Sequence, residues 1–299
     1  MILGEVNGLF TLFDRIISEW SKRRTKGVTS VSRRFIELFE AHGVKRNQIP
    51  RFFGHGITLG DLANDGLLLV KLTEPVLEAA CSLFGVRREW LDGAGEEPYR
   101  RHDFYKAPEN FEQFIEGLKA ENPDAELDGY LIVSEDAASD DKAALILMEV
   151  VGEIGDSAIY RYHYCDDWVF DYWKSRAYLT ACIAIAWKRK VFIKGRRSDR
   201  RELCSLTEQQ ALPGPILKRL TSSDERWYAE DLALLPDRFL EGLDAEQNSF
   251  GVISALRLWL RLDSQGWMDT GLRKDVRQVF EEELAKHEAR SAPELSADK

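Results

Sequence analysis

Apolar residues recur at helical spacing through residues 1–21, where Leu9, Phe10, Leu12, Phe13, Ile16, Ile17 and Trp20 predict one amphipathic helix. The basic run Lys22 to Lys26 and the segment Gly27 to Ser30 complete residues 1–30 as helix plus basic linker. Residues 31–93 break into shorter periodic stretches that read as five helices of an all-α module. In VSRRFIELFEAHG, Phe35, Ile36, Leu38 and Phe39 face inward and Gly43 is the stop. KRNQIPRFFG is the second helix, and TLGDLANDGLLLVK starts on Thr58, a good N-cap. In EPVLEAACSLFGVRREWLDG a helix buries Val76, Leu77 and Ala80 and closes at Gly85, and a short turn then ends in Trp90-Leu91-Asp92-Gly93. Residues 94–123 form a charged connector with a helix in APENFEQFIEGLKAENP.

The period changes after Pro123. LDGYLIVSE, AALILMEVV and AIYRYHYCDDWVF are rich in β-branched and aromatic residues and read as strands, with turns at ASDDK and GEIGD. KSRAYLTACIAIAWKRK is alanine-rich, ends in cations and reads as helix; VFIKGRRSDRREL reads as a strand and a basic turn. Residues 124–212 are therefore expected to be an α+β sensor or interaction domain, 213–290 a helical C-terminal region that includes DERWYAEDLALL, and 291–299 a disordered tail. The fold class expected for the whole chain is α+β.

The corner at residues 74–93 resembles the last two helices of the Cro/repressor-like (XRE) helix-turn-helix domain, in which an apolar helix is followed by "lgV" and "WLLxG". EAHGVKRNQIPRFFG also resembles that family's "kGlsqeeLAeklG", so the likeness spans residues 31–93. The resemblance implies a regulator of bacterial type that binds double-stranded DNA and acts as a homodimer. Carried onto this chain, the cations at phosphates would be Arg33, Arg34, Lys45, Arg46 and Arg51. Asn47 or Gln48 would reach base edges, and Thr58 would open the recognition helix. Two departures stand out. Pro50 stands where the family has a helix-interior alanine and would strain or shorten that helix, and the segment Thr58 to Leu67 carries Asp61 and Asp65 and no cation. The alternative is the same helical module used for contact with a protein partner or a membrane surface.

Composition narrows the class without naming it. The 299 residues are 44% hydrophobic and 31% charged, ordinary globular material with room for two domains. A net charge of −10 argues against a chain that coats nucleic acid over its whole surface. Cys81, Cys165, Cys182 and Cys204 lie far apart without a CxxC pair, which points to reduced thiols in a cytoplasmic protein. Neither a secretory signal nor an apolar run long enough to span a membrane is evident. The wide apolar face of residues 1–21 needs a cover: a twin helix in a dimer first, the chain's own C-terminal helices second, a membrane interface third.

The densest candidate chemistry lies between Tyr160 and Trp187. Tyr160, Tyr162 and Tyr164 share one strand face, and Arg161, His163 and Cys165 the other. Tyr162, His163, Trp168 and Trp173 are the residues expected to line a pocket for a small-molecule effector, against the plainer reading of an aromatic core. The basic cluster Lys188 to Arg201 grips an anion or decorates a helix end and a turn. Neither a P-loop nor a GxGxxG, GxSxG or HExxH motif occurs, so no cofactor, no metal and no catalytic residue is expected.

Overall fold

The computed structural model describes residues 31–135, 142–221, 226–243 and 246–291, apart from the side chains of Asp166, Asp167, 246–250 and Ser291. The amphipathic helix and basic linker expected for residues 1–30, most of the ASDDK turn and residues 292–299 lie outside the described residues. The chain is α+β and divides into two compact units. One reaches Pro98 and includes Ile154–Ile159; the other holds Tyr99–Glu153 and everything from Tyr160 onward.

The first unit is helical: α1 (31–41), α2 (Ile49–Phe52), α3 (Asp65–Lys71), α4 (Glu74–Phe84) and α5 (Arg88–Leu91). Phe35, Leu38 and Phe39 of α1 are fully buried with Ile49, Leu68, Phe84 and Leu91. Each such side chain contributes about 1.5–3 kcal/mol by leaving water. Phe39 is the hub, its ring centroid 5.0 Å from both Phe53 and Phe84. Pro50 does shorten its helix. Arg46–Gln48 is a 3₁₀ turn, and α2 begins only at Ile49, with the proline in its first turn where a missing N–H costs nothing. The third helix differs from the pattern-based expectation. Thr58 starts no α-helix: its hydroxyl accepts from Asp61 N–H at 3.3 Å ahead of a 3₁₀ turn at Asp61–Ala63 whose N-cap is Gly60. α3 itself starts at Asp65, with the Asn64 side chain accepting from Leu67 N–H. The αL backbone of Gly85 (φ 70°) closes α4, and Arg88 ties the corner together by bonding Glu74, Glu78 and Asp92.

The second unit is built on a five-stranded sheet, order β3-β2-β1-β4-β5. Its strands are β1 (Leu127–Ser134), β2 (Lys142–Ile154), β3 (Ser157–Val169), β4 (Phe192–Ser198) and β5 (Arg226–Tyr228). β1 pairs antiparallel with β2 and parallel with β4, and β4 pairs antiparallel with β5. The turn between β2 and β3 is tighter than GEIGD, just Gly155-Asp156, with Gly155 at φ 60°. The helices are α6 (Pro108–Glu121), α7 (Trp173–Lys188), α8 (Arg200–Thr207), α9 (Pro213–Thr221), α10 (Asp231–Leu234), α11 (Pro236–Leu240), α12 (Glu246–Ser264) and α13 (Val276–Ser291).

On one face of the sheet, Leu127, Leu131, Val133, Leu145 and Leu147 pack against α6 and α7 through Phe111, Ile115, Leu179 and Ile183. α7 is buried almost all round because Ala177 and Ala181 on its far side meet Trp259, Leu256 and Phe280 of α12 and α13. Trp259 stacks on Phe280 at 3.7 Å. Arg176 of α7 is 1% exposed and donates to three backbone carbonyls, those of Phe170, Phe239 and Glu241, with its guanidinium 3.6 Å from the Phe170 ring. α8 and α9 touch β1 and β4.

DERWYAEDLALL corrects the expectation that this segment is helical, because its described part holds β5 before α10. Gly195 on β4 explains why. A Cβ there would stand 2.4 Å from the Trp227 ring, so only glycine lets this edge strand close on the sheet.

Candidate functional site

In the helical unit the residues expected to face DNA fall into two groups. Arg34, Arg46 and Gln48 are engaged within the module. Arg34 donates to the Trp90 carbonyl and lies 5.7 Å from that indole ring. Arg46 Nε donates to the Leu62 carbonyl at 3.0 Å, and its Nη2 is 3.9 Å from Asp65. Gln48 Oε1 accepts from Lys45 N–H at 2.9 Å and so caps the 3₁₀ turn. Arg33, Lys45, Asn47, Arg51 and Thr58 are exposed. The Thr58 hydroxyl and N–H bond Asp61 Oδ2 at 2.7 and 2.8 Å and hold that carboxyl below the usual range.

Beside these groups stands a feature that the hydrophobic pattern did not predict. Leu59, Leu67 and Val70 are 63, 49 and 77% exposed. The signal was in the run Leu67-Leu68-Leu69-Val70. Four consecutive apolar residues cannot all face one core from a helix, and only Leu68 is fully buried.

In the second unit the alternation along β3 holds. Tyr162 and Tyr164 are buried on one face, where Tyr99 stacks on Tyr164 at 5.1 Å and meets Tyr162 edge-on at 6.3 Å. Burial raises the Tyr162 hydroxyl pKa. His163 and Arg161 project from the other face onto Glu149 of β2, which is 2% exposed. Its carboxylate accepts from His163 Nε2 at 2.9 Å, Arg161 Nη1 at 3.2 Å and Asn122 Nδ2 at 3.2 Å. Burial pushes the Glu149 pKa up, but the bonds from His163 and Asn122 and the Arg161 charge outweigh it and leave the carboxyl below its ordinary range. His102 lies 4.4 Å from Phe114, whose ring meets His163 at 5.7 Å; burial, then the charges of His163 and Arg100, lower the His102 pKa to about 4.

The four expected pocket residues are not brought together. Tyr162 and His163 lie on opposite faces of β3. Trp168 is 1% exposed in the core between sheet and helices, its Nε1 donating to the Cys165 carbonyl at 2.8 Å. Trp173 opens α7 and packs toward α12. Glu149 with its three donors is instead the polar centre of this region. It ties the end of α6 to β2 and β3, and no local spacing signals it because its partners come from 12, 14 and 27 positions away.

Cys81, Cys165 and Cys182 are buried and Cys204 is half-buried. Among the described residues no group of three or more His, Cys, Asp or Glu side chains is arranged to hold a metal. Among the same residues no helix is long and apolar enough to cross a membrane. Comparison of the chain with protein-family models, with curated proteins and with solved structures found no match.

Proposed function

We propose that this chain works by binding a macromolecule through its helical module, and that the partner docked on α3 is a protein. The exposed apolar trio Leu59, Leu67 and Val70 carries this reading. Apolar side chains held in water gain by meeting an apolar surface, whereas a duplex backbone offers phosphates. Asp61 and Asp65 lie between Leu59 and Leu67 along the chain, so a partner with apolar side chains and nearby lysine or arginine fits, and an anionic one is repelled. The test replaces Leu67 and Val70 with serine in the full chain. Both are exposed, so stability should change by less than about 0.5 kcal/mol. Proteins cross-linked to the wild type in its own cell extract should be absent with the variant; an unchanged set rejects the α3 surface.

A second reading rests on exposed Lys45, Asn47 and Arg51 along one short segment, with Arg33 on α1. It makes the chain a DNA-binding regulator, a homodimer whose α+β unit senses a small-molecule effector, as the resemblance to the Cro/repressor-like family implies. Replacing Lys45 and Arg51 with alanine should then weaken duplex binding and reduce the salt slope by about 0.9 for each phosphate no longer neutralised. Wild-type chain that shifts no duplex at low salt removes this reading and leaves the first intact.

A further inference from the structure

Arg196 of β4 is 5% exposed, yet its guanidinium is only partly engaged. Nη1 donates to the neighbouring Gly195 carbonyl at 2.9 Å, and the Tyr130 ring lies 5.3 Å away. The buried Nε has no hydrogen-bond acceptor among the described residues. Arginine does not escape such a position by losing its proton, so a buried guanidinium calls for an anion. Burial depresses its pKa, Tyr130 opposes that, and the like charge of a second cation, Arg226, adds to the depression.

The register of the sheet makes this pairing direct. β4 and β5 run antiparallel with Arg196 opposite Arg226, so both side chains leave the same face of the sheet. Like charges placed directly opposite destabilise a strand pair unless something lies between them. One row along the same face, Lys194 stands opposite Tyr228 and beside Tyr130. Lys194 is paired with Asp128, and Tyr228 is 72% exposed. Buried Arg196 therefore lies at the inner end of a cationic strip, and exposed Arg226 at its outer, solvent-facing end.

We infer that Arg196 and Arg226 form a binding site for a phosphate-type oxyanion on the β4–β5 edge of the sheet. A phosphoryl group has acceptor oxygens enough to take N–H bonds from two guanidiniums approaching from adjacent strands, and its charge offsets both. A carboxylate, with two oxygens in one plane, satisfies one fork and leaves the other short. The site belongs to the α+β unit and does not depend on what the helical unit docks.

The test uses the full chain with inorganic phosphate as probe and acetate at matched ionic strength as control. Phosphate should raise the melting temperature saturably, and acetate should not. Arg196→Met keeps the length of the side chain and removes the charge. Without phosphate this variant should melt at or above the wild type, because an uncompensated buried charge is gone. Its phosphate affinity by calorimetry should fall roughly tenfold or more. Arg226→Gln, at an exposed position, should also weaken phosphate binding and serves on its own if the Arg196 variant does not fold. No saturable phosphate effect in the wild type overturns the site, as does an equal effect of acetate or an unchanged response in both variants.

Discussion

His42, 3% exposed at the end of α1, donates from Nδ1 to the Leu38 carbonyl at 2.7 Å and lies 4.1 Å from the Phe84 ring. Burial lowers its pKa from 6.5 to about 4. Between those values the unfolded chain binds a proton that the folded chain refuses. Stability is therefore complete above pH 6.5 and is lost as pH falls toward 4. The loss is on the order of 3 kcal/mol at 1.36 kcal/mol per pKa unit. His102 in the other unit has the same sign, and Glu149, whose pKa is lowered, also loses its stabilising charge in acid. Urea unfolding of the helical unit's signals at pH 7 and pH 4.5 should show the drop, and His42→Leu should flatten it. An equal drop in that variant would assign the acid sensitivity elsewhere.

Secondary-structure elements were legible where pattern and packing agree. β1, β2 and β3 follow from their β-branched and aromatic content and α7 from its alanines, because each is long and meets the core over most of its length. β5 was not legible. Three residues carry no period, and what makes them a strand is the open edge of β4 together with the space left at Gly195. Gly195→Ala should therefore force the Trp227 ring and backbone away and cost about 1–3 kcal/mol. Faster hydrogen exchange at the Lys194–Tyr228 and Arg196–Arg226 pairs than in β1 would locate the damage; unchanged protection there would contradict it. The start of α3 was misplaced for a related reason. Thr58 and Asn64 are both good cap residues by type, but the turn after Thr58 is a short 3₁₀ turn with Gly60 at its N-cap, and only Asn64 caps an α-helix, with Leu68 buried beneath it.

Across the whole molecule, residue identity foretold less about sites than about elements. A cation can be read from a sequence, but its free valence cannot. Arg34 and Arg46 looked equivalent to Arg33 and Arg51 until backbone carbonyls took up their donors. Glu149 and Arg196 matter through partners that only the sheet brings near. Arg176 carries this furthest, because it fastens α7 to the carbonyl of Phe170 just before it and to those of Phe239 and Glu241 near the end of α11. A chain cut before Pro236 would leave that guanidinium with one of its three acceptors and would also remove α12 and α13, which cover the far side of α7. Losing that carbonyl anchorage and the apolar cover of α7 together removes a large share of what holds a domain folded. The sheet with α6 and α7 is thus not a separable core to which the later helices were added. Limited proteolysis should yield either the intact C-terminal half or small peptides, and a stable fragment ending near residue 235 would show that the sheet stands without its carbonyl clamp.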